Sequence, residues 1–210
     1  MAKIEPFEKY TERYENWFEK HRYAYLSELN ALKKISLKGK TLEVGVGSGR
    51  FAKPLGIKYG VEPSLKMAKI SKQKGINVVR GIAEKLPFKD SSFNNVFFIT
   101  TICFVDDLKL SFLESKRVLK EKGSLILGFI DKNTDLGKFY LQHKEENPFY
   151  RFATFFSTEE VVEILKSTGF TVSEVYQTIF HLLPDIKEVE PVEKGHGKGA
   201  FVVIKAIANI

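Results

Sequence analysis

Thr41-Leu-Glu-Val-Gly-Val-Gly-Ser-Gly-Arg50 is the stretch whose reading decides the fold. It reads as an apolar strand running into glycines at alternate positions, Gly45, Gly47 and Gly49. Glycine there lets backbone approach a ligand where a Cβ would collide. Ser48-Gly-Arg-Phe-Ala-Lys-Pro-Leu55 then reads as a helix start, and its free N–H groups would point into the same crevice. A second strand over 57–62 ends in Glu62. Strand, glycine turn, helix and acidic strand end together form a nucleotide-cofactor site in a doubly wound α/β sheet. A dinucleotide fingerprint would place its third glycine at position 50, where this chain has Arg50.

Further along, the chain alternates strands and helices. Strands are expected at 41–45, 57–62, 76–80, 95–101 and 124–130. The run at 95–101 is continuously apolar, as a parallel strand covered on both faces should be. Asp106-Asp107 can cap a helix running to about Leu119. The alternation breaks at 132–156, an aromatic-rich insertion. Ser157-Thr-Glu-Glu160 is a capping box, and its helix should stop at Gly169. Two β-rich runs, 171–180 and 200–208, lack an intervening helix and should pair antiparallel. The expectation is a seven-stranded, mostly parallel sheet with an antiparallel pair at its C-terminal end. Apolar spacing over 7–34 predicts two N-terminal helices.

The pattern Glu43-x-Gly45-x-Gly47-x-Gly49 resembles motif I of the class I S-adenosylmethionine-dependent methyltransferases. Gly81-Ile-Ala-Glu-Lys-Leu-Pro-Phe-Lys-Asp-Ser-Ser-Phe93 is similar to a segment of their small-molecule members related to the ubiquinone and menaquinone pathways. Arg117-Val-Leu-Lys-Glu-Lys-Gly123 resembles the segment these enzymes carry before strand five. The resemblance implies a Rossmann-like fold and S-adenosylmethionine as cofactor, with S-adenosylhomocysteine as product. It implies one domain over 1–210, with a helical lid at 1–36, a cofactor half at 41–131, a substrate lid at 132–156 and a C-terminal part at 157–210.

The cofactor residues implied are Glu43, Gly45, Val46, Gly47, Gly49, Glu62, Pro63, Ala83, Glu84 and Thr100. Glu43 lies within a central strand and needs a partner, either a ligand ammonium or N–H groups of the turn. Glu62 would accept from both ribose hydroxyls, or help start the next helix. Backbone around Ala83-Glu84 lines the adenine in the family. Ile82 stands where an Asp is frequent, so adenine recognition would rest on backbone and apolar packing. Asn94 replaces another usual Asp and reads as structural.

Tyr14, Trp17, Thr101, Phe104, Asp131, Tyr140 and Tyr150 are expected around a small-molecule acceptor. The aromatic side chains either pack the lid or face a cation. Asp131 is a strand-end cap or a holder of a cationic acceptor. His21 and His143 are surface histidines or candidate bases, with Asp131 a third catalytic candidate. Methyl transfer from a sulfonium mainly needs positioning and exclusion of water, so no fixed catalytic set is required. Cys103 reads as a packing residue. Asn147-Pro-Phe-Tyr150 resembles the N-P-P-F/Y tetrapeptide of amino-group methyltransferases, but lies far from strand four and lacks the second proline.

Composition narrows the alternatives. At 43% hydrophobic residues the chain is globular rather than disordered. No apolar run could span a bilayer, no signal core leads the chain, and the single cysteine excludes an internal disulfide, so the cytoplasm is expected. The net charge of +7 raises an RNA methyltransferase as an alternative, yet the lysines are dispersed among glutamates and make nucleic acid an unexpected partner. A non-catalytic S-adenosylmethionine-binding protein acting through a partner is the other alternative, and the intact glycines and glutamates argue against it. No metal is expected, and the chain should act as a monomer or homodimer.

Overall fold

A computed structural model describes residues 3–209 of the chain. The strands are β1 (Thr41–Val44), β2 (Tyr59–Val61), β3 (Asn77–Val79), β4 (Phe93–Ile99), β5 (Leu119–Ile130), β6 (Phe170–Thr178), β7 (Glu193–Lys194) and β8 (Phe201–Ala208). They form one sheet in the order β3-β2-β1-β4-β5-β8-β6-β7. β1 to β5 pair in parallel, and β8 runs antiparallel between β5 and β6. The order reverses between β1 and β4, and the crevice beyond their carboxyl ends is where such sheets bind ligands.

Eight strands replace the expected seven. The addition, β7, is two residues pairing with Tyr176 and Gln177 at the sheet edge. So short a strand leaves no alternating pattern in a loop punctuated by Pro191 and Gly195.

The sheet is buried on both faces. From β4, Phe93, Val96 and Phe98 pack into one apolar cluster, and Phe97 and Ile99 into the other. All five are buried, each Phe contributing about 1.5–3 kcal/mol. The covering helices are α1 (Glu5–Lys9), α2 (Thr11–Lys20), α3 (Arg22–Leu32), α4 (Ala52–Leu55), α5 (Leu65–Gln73), α6 (Leu108–Val118), α7 (Asp135–Gln142) and α8 (Thr158–Ser167). Asp107 caps α6 by accepting from Leu110 N at 2.8 Å. Ser157 and Glu160 form the expected capping box of α8. Asn94 Oδ1 accepts from Lys40 N at 2.9 Å, a loop-fixing contact.

Two helical expectations need correction. Three N-terminal helices stand where two were expected, because Tyr10 and His21 leave helical geometry, with ψ of 33° and 44°. The helix after the glycine turn begins at Ala52 rather than Ser48, since Gly47 and Gly49 hold φ of 55° and 79°.

The N-terminal helices are fastened over the crevice. Glu8 Oε1 on α1 accepts from Ser64 Oγ at 2.7 Å and from Lys66 N at 3.2 Å. Arg50, just past the glycine turn, donates to Glu15 and Glu19 of α2, and Tyr25 of α3 donates to the Arg50 carbonyl at 2.6 Å. Phe7 meets Phe104 and Phe149, joining α1 to the strand-four end and to the 132–156 segment.

Candidate functional site

The glycine turn is shaped by close approaches. At Gly45, φ is 70° and a Cβ would stand 2.4 Å from Thr101 Cγ2. Gly45 N and Val46 N both donate to Val61 O, stitching the turn to the end of β2. Glu62 follows directly. Its Oε2 accepts from Gly47 N at 2.8 Å and its Oε1 from Ser64 N at 2.8 Å. A carboxylate has about four lone-pair sites, so each oxygen keeps capacity for a further donor. Burial pushes the Glu62 carboxyl up to about 7, although its two backbone bonds favour the charged form.

Glu43 lies behind the turn. It is buried and its Oε2 has no hydrogen-bond partner. Burial, reinforced by the nearby Glu62, raises its carboxyl well above the usual range. No cation of the described chain offsets either carboxyl.

A cavity of about 790 Å³ opens in front of these residues. Gly45, Gly47, Glu62 and Pro63 line it, with Ala83, Glu84 and Thr100 beyond them. Thr100 holds φ of 53°, an uncommon conformation for a β-branched residue, at the end of β4. The Glu84 side chain turns to accept from Asp106 N at 2.7 Å, which leaves its backbone for the wall. Arg117 fixes this part by donating to the carbonyls of Leu86 and Phe88, while Glu114 accepts from Leu86 N. The segments 81–93 and 117–123 are thus one hydrogen-bonded unit.

Tyr14, Trp17, His21, Thr101, Phe104, Tyr140 and Tyr150 also line the cavity. Burial lowers the His21 pKa, so its ring is neutral at pH 7. Burial pushes the Cys103 thiol up to about 12, which keeps it protonated and matches a packing role. Asn147 borders the cavity, but its Oδ1 accepts from Phe149 N in a local turn.

Four expected site residues stand elsewhere. Asp131 is 1% exposed and accepts from Thr158 Oγ1 at 2.6 Å, Thr158 N at 3.1 Å and Asn133 N at 2.9 Å. Those bonds make it the cap that seats α8, and it does not line the cavity. His143 points its Nδ1 to the Phe139 carbonyl outside the cavity. Val46 packs on Gly60, and a Cβ on Gly49 would strike Ile76 at 2.5 Å, so both are packing positions of the turn. Glu28 of α3, by contrast, lines the cavity and was not expected from the sequence. Its signal was its spacing with the buried Ala24, Ala31 and Leu32 on one helix face.

Among the described residues no group of three or more potential ligands could hold a metal, and no helix is long and apolar enough to cross a membrane.

The fold and this crevice define the class of nucleotide-binding proteins built on a doubly wound sheet. Residues 42–127 match the methyltransferase domain family. A crystal structure from Thermotoga maritima, described as a SAM-dependent methyltransferase, possible histamine N-methyltransferase, is 48% identical. It superposes with a TM-score of 0.94 over 96% of this chain and 97% of that one. An uncharacterized protein of Methanocaldococcus jannaschii is 45% identical over 95% of this chain and 97% of its own length. A demethylmenaquinone methyltransferase of Thermotoga maritima is 31% identical over 64% of this chain and 71% of its own. The chain belongs to the class I S-adenosylmethionine-dependent methyltransferases. The residues fit that cofactor: two buried carboxyls without a cation stand beside a glycine turn, and a positively charged nucleoside with an ammonium group would compensate them.

Proposed function

We propose that this methyltransferase acts on a nitrogen or oxygen of a small-molecule acceptor enclosed with the cofactor in one cavity. The observation that carries the reading is the continuity of that cavity. The glycine turn and Glu62 line one part, and Trp17, Tyr140, Tyr150 and Phe155 line another, without a wall between them. Its volume of about 790 Å³ lies in the range of small-molecule sites, about 300–1,000 Å³.

In this reading Glu62 accepts from the ribose hydroxyls, Glu43 compensates the ammonium from behind the turn, and backbone at Ala83-Glu84 borders the adenine. S-adenosylmethionine supplies a methyl group already activated on a sulfonium. The chain's own residues bind, orient and exclude water. Residues 41–131 hold the cofactor, and the segments up to 36 and over 132–156 cover the acceptor. The description of the Thermotoga maritima relative supports a nitrogen acceptor.

Titration calorimetry with S-adenosylhomocysteine tests the first half of the reading, with one site per chain expected. Transfer of labelled methyl to a panel of small amines, phenols and acids tests the second. A protein that binds no S-adenosylhomocysteine, or that methylates RNA and none of the small molecules, overturns it.

A further inference from the structure

Glu28 is a buried carboxyl in the cavity wall that the cofactor reading leaves without work. It is 5% exposed, and its carboxyl has no hydrogen bond or ion pair with any described residue. Three other buried acids are satisfied, Glu62 by two backbone N–H groups, Asp131 by three donors, Glu190 by Phe180 N and His181, while Glu43 is left to the cofactor. A buried carboxyl without a partner is costly, and a fold that retains one has a ligand to repay it.

Its surroundings state what that ligand is. Tyr140 and Tyr150 lie close enough to feel its charge, with ring centroids 4.8 Å apart, and Phe155 lies 5.5 Å from Tyr150. Aromatic faces attract cations, most strongly where water is excluded. His21, Tyr25 and Cys103 lie near this part of the wall, and Lys3, Glu12, Arg13 and Lys20 also line the cavity, Lys20 beside His21 and Lys3 beside Cys103. Burial keeps His21 neutral and the hydroxyls and thiol protonated, and none of the lining cations offsets Glu28, whose carboxyl is raised by burial alone.

We propose that Glu28 is the anchor of the methyl acceptor, pairing with a protonated amine or imidazolium, and that the enzyme is selective for small cationic nitrogen compounds. This rests on the reading of the cavity as the acceptor site. The part of the acceptor that pairs with Glu28 and the atom that is methylated need not be the same.

Calorimetry on the protein saturated with S-adenosylhomocysteine tests it, with 2-phenylethylamine, its neutral isostere 2-phenylethanol, and histamine as probes. The wild-type protein is expected to bind the amines at least about tenfold more tightly than the alcohol. Glu28→Gln is expected to bring the ratio to about twofold or less, with S-adenosylhomocysteine affinity unchanged. The wild-type protein alone gives a second readout that does not depend on the variant folding. The empty carboxyl holds a proton at pH 7 and pairing with a cation expels it. Amine binding should therefore release a proton, read from the dependence of the heat on buffer ionisation enthalpy, and alcohol binding should release none. Equal binding of amine and alcohol, an amine preference that survives Glu28→Gln, amine binding without proton release, or no binding of any probe overturns the proposal. A Glu28-dependent amine preference with methyl transfer to none of the amines, phenols and acids upholds the cation site and refutes the small-molecule transfer reading instead.

Discussion

Replacing Glu28 with glutamine removes one titratable group and almost no volume. In the empty protein that exchange should change how stability depends on pH. The carboxyl ordinarily titrates near 4.5, and burial pushes it up to about 8. Between those values the unfolded chain has released the proton and the folded chain still holds it, so stability falls as pH rises. The stability Glu28 contributes is complete below 4.5 and is lost as pH climbs through 8. At about 1.4 kcal/mol per pH unit, the loss between pH 5 and pH 8 is about 3–4 kcal/mol. That is a large share of the about 5–15 kcal/mol that holds an ordinary domain folded. Glu28→Gln cannot titrate, so its stability relative to wild type should rise by that amount across the same interval. Glu43 and Glu62 titrate in both proteins and cancel in the comparison. Urea unfolding of both, followed by circular dichroism at pH 5, 6.5 and 8, measures the difference. At about 2–4 °C per kcal/mol the same gap should appear in thermal melts as about 6–15 °C. A gap that stays constant with pH would refute the claim that Glu28 is desolvated and unpartnered.

Other substitutions separate the roles of the site residues. Glu62→Ala leaves Gly47 N and Ser64 N without their acceptor and removes a charged acceptor from the cavity wall. S-adenosylhomocysteine affinity should fall about 10- to 100-fold by calorimetry, matching a charged hydrogen bond of about 1.5–3 kcal/mol. Gly45→Ala forces a Cβ to within 2.4 Å of Thr101 Cγ2 at a φ of 70°. Removing that methyl group with Thr101→Ala should recover about 1–3 kcal/mol of unfolding free energy on the Gly45→Ala background, the crowding share of the cost, and leave the φ strain in place. Asp131→Ala strands three donors around α8 and should destabilise by about 2–4 kcal/mol in urea, while the affinity for S-adenosylhomocysteine stays at the wild-type value.

The cofactor half of the molecule was legible in the sequence because its constraints are local. Gly45 and Gly47 need positive φ, Asp107 needs to precede the first turn of α6, and the apolar run of β4 needs both faces covered. Each leaves its mark within a few residues. The same locality explains the small errors: a two-residue strand such as β7 is too short to leave a pattern, and the breaks at Tyr10 and His21 carry no glycine or proline. The acceptor side was less legible, because its residues meet only through long-range packing. Asp131 read equally as a strand-end cap or as a holder of a cationic acceptor, and only Thr158, 27 positions later, decides for the cap by claiming its carboxylate. His143 lies in the covering segment, yet its ring turns to its own helix turn. Glu28 is marked in the sequence only by its spacing with the apolar face of α3, and the packing of that helix over the sheet puts it in the cavity wall.

Ser64 connects the two ends of this architecture. Its backbone N–H holds Glu62, its hydroxyl caps α5, and the same hydroxyl donates to Glu8 of α1. Residues of α1 and α2 form one wall of the chamber. Any movement of α1 that breaks the Glu8 contact therefore loosens the residue whose N–H orients the Glu62 carboxylate. The position of the N-terminal helix and the aim of the strand-end acid are thus mechanically linked through a single hydroxyl.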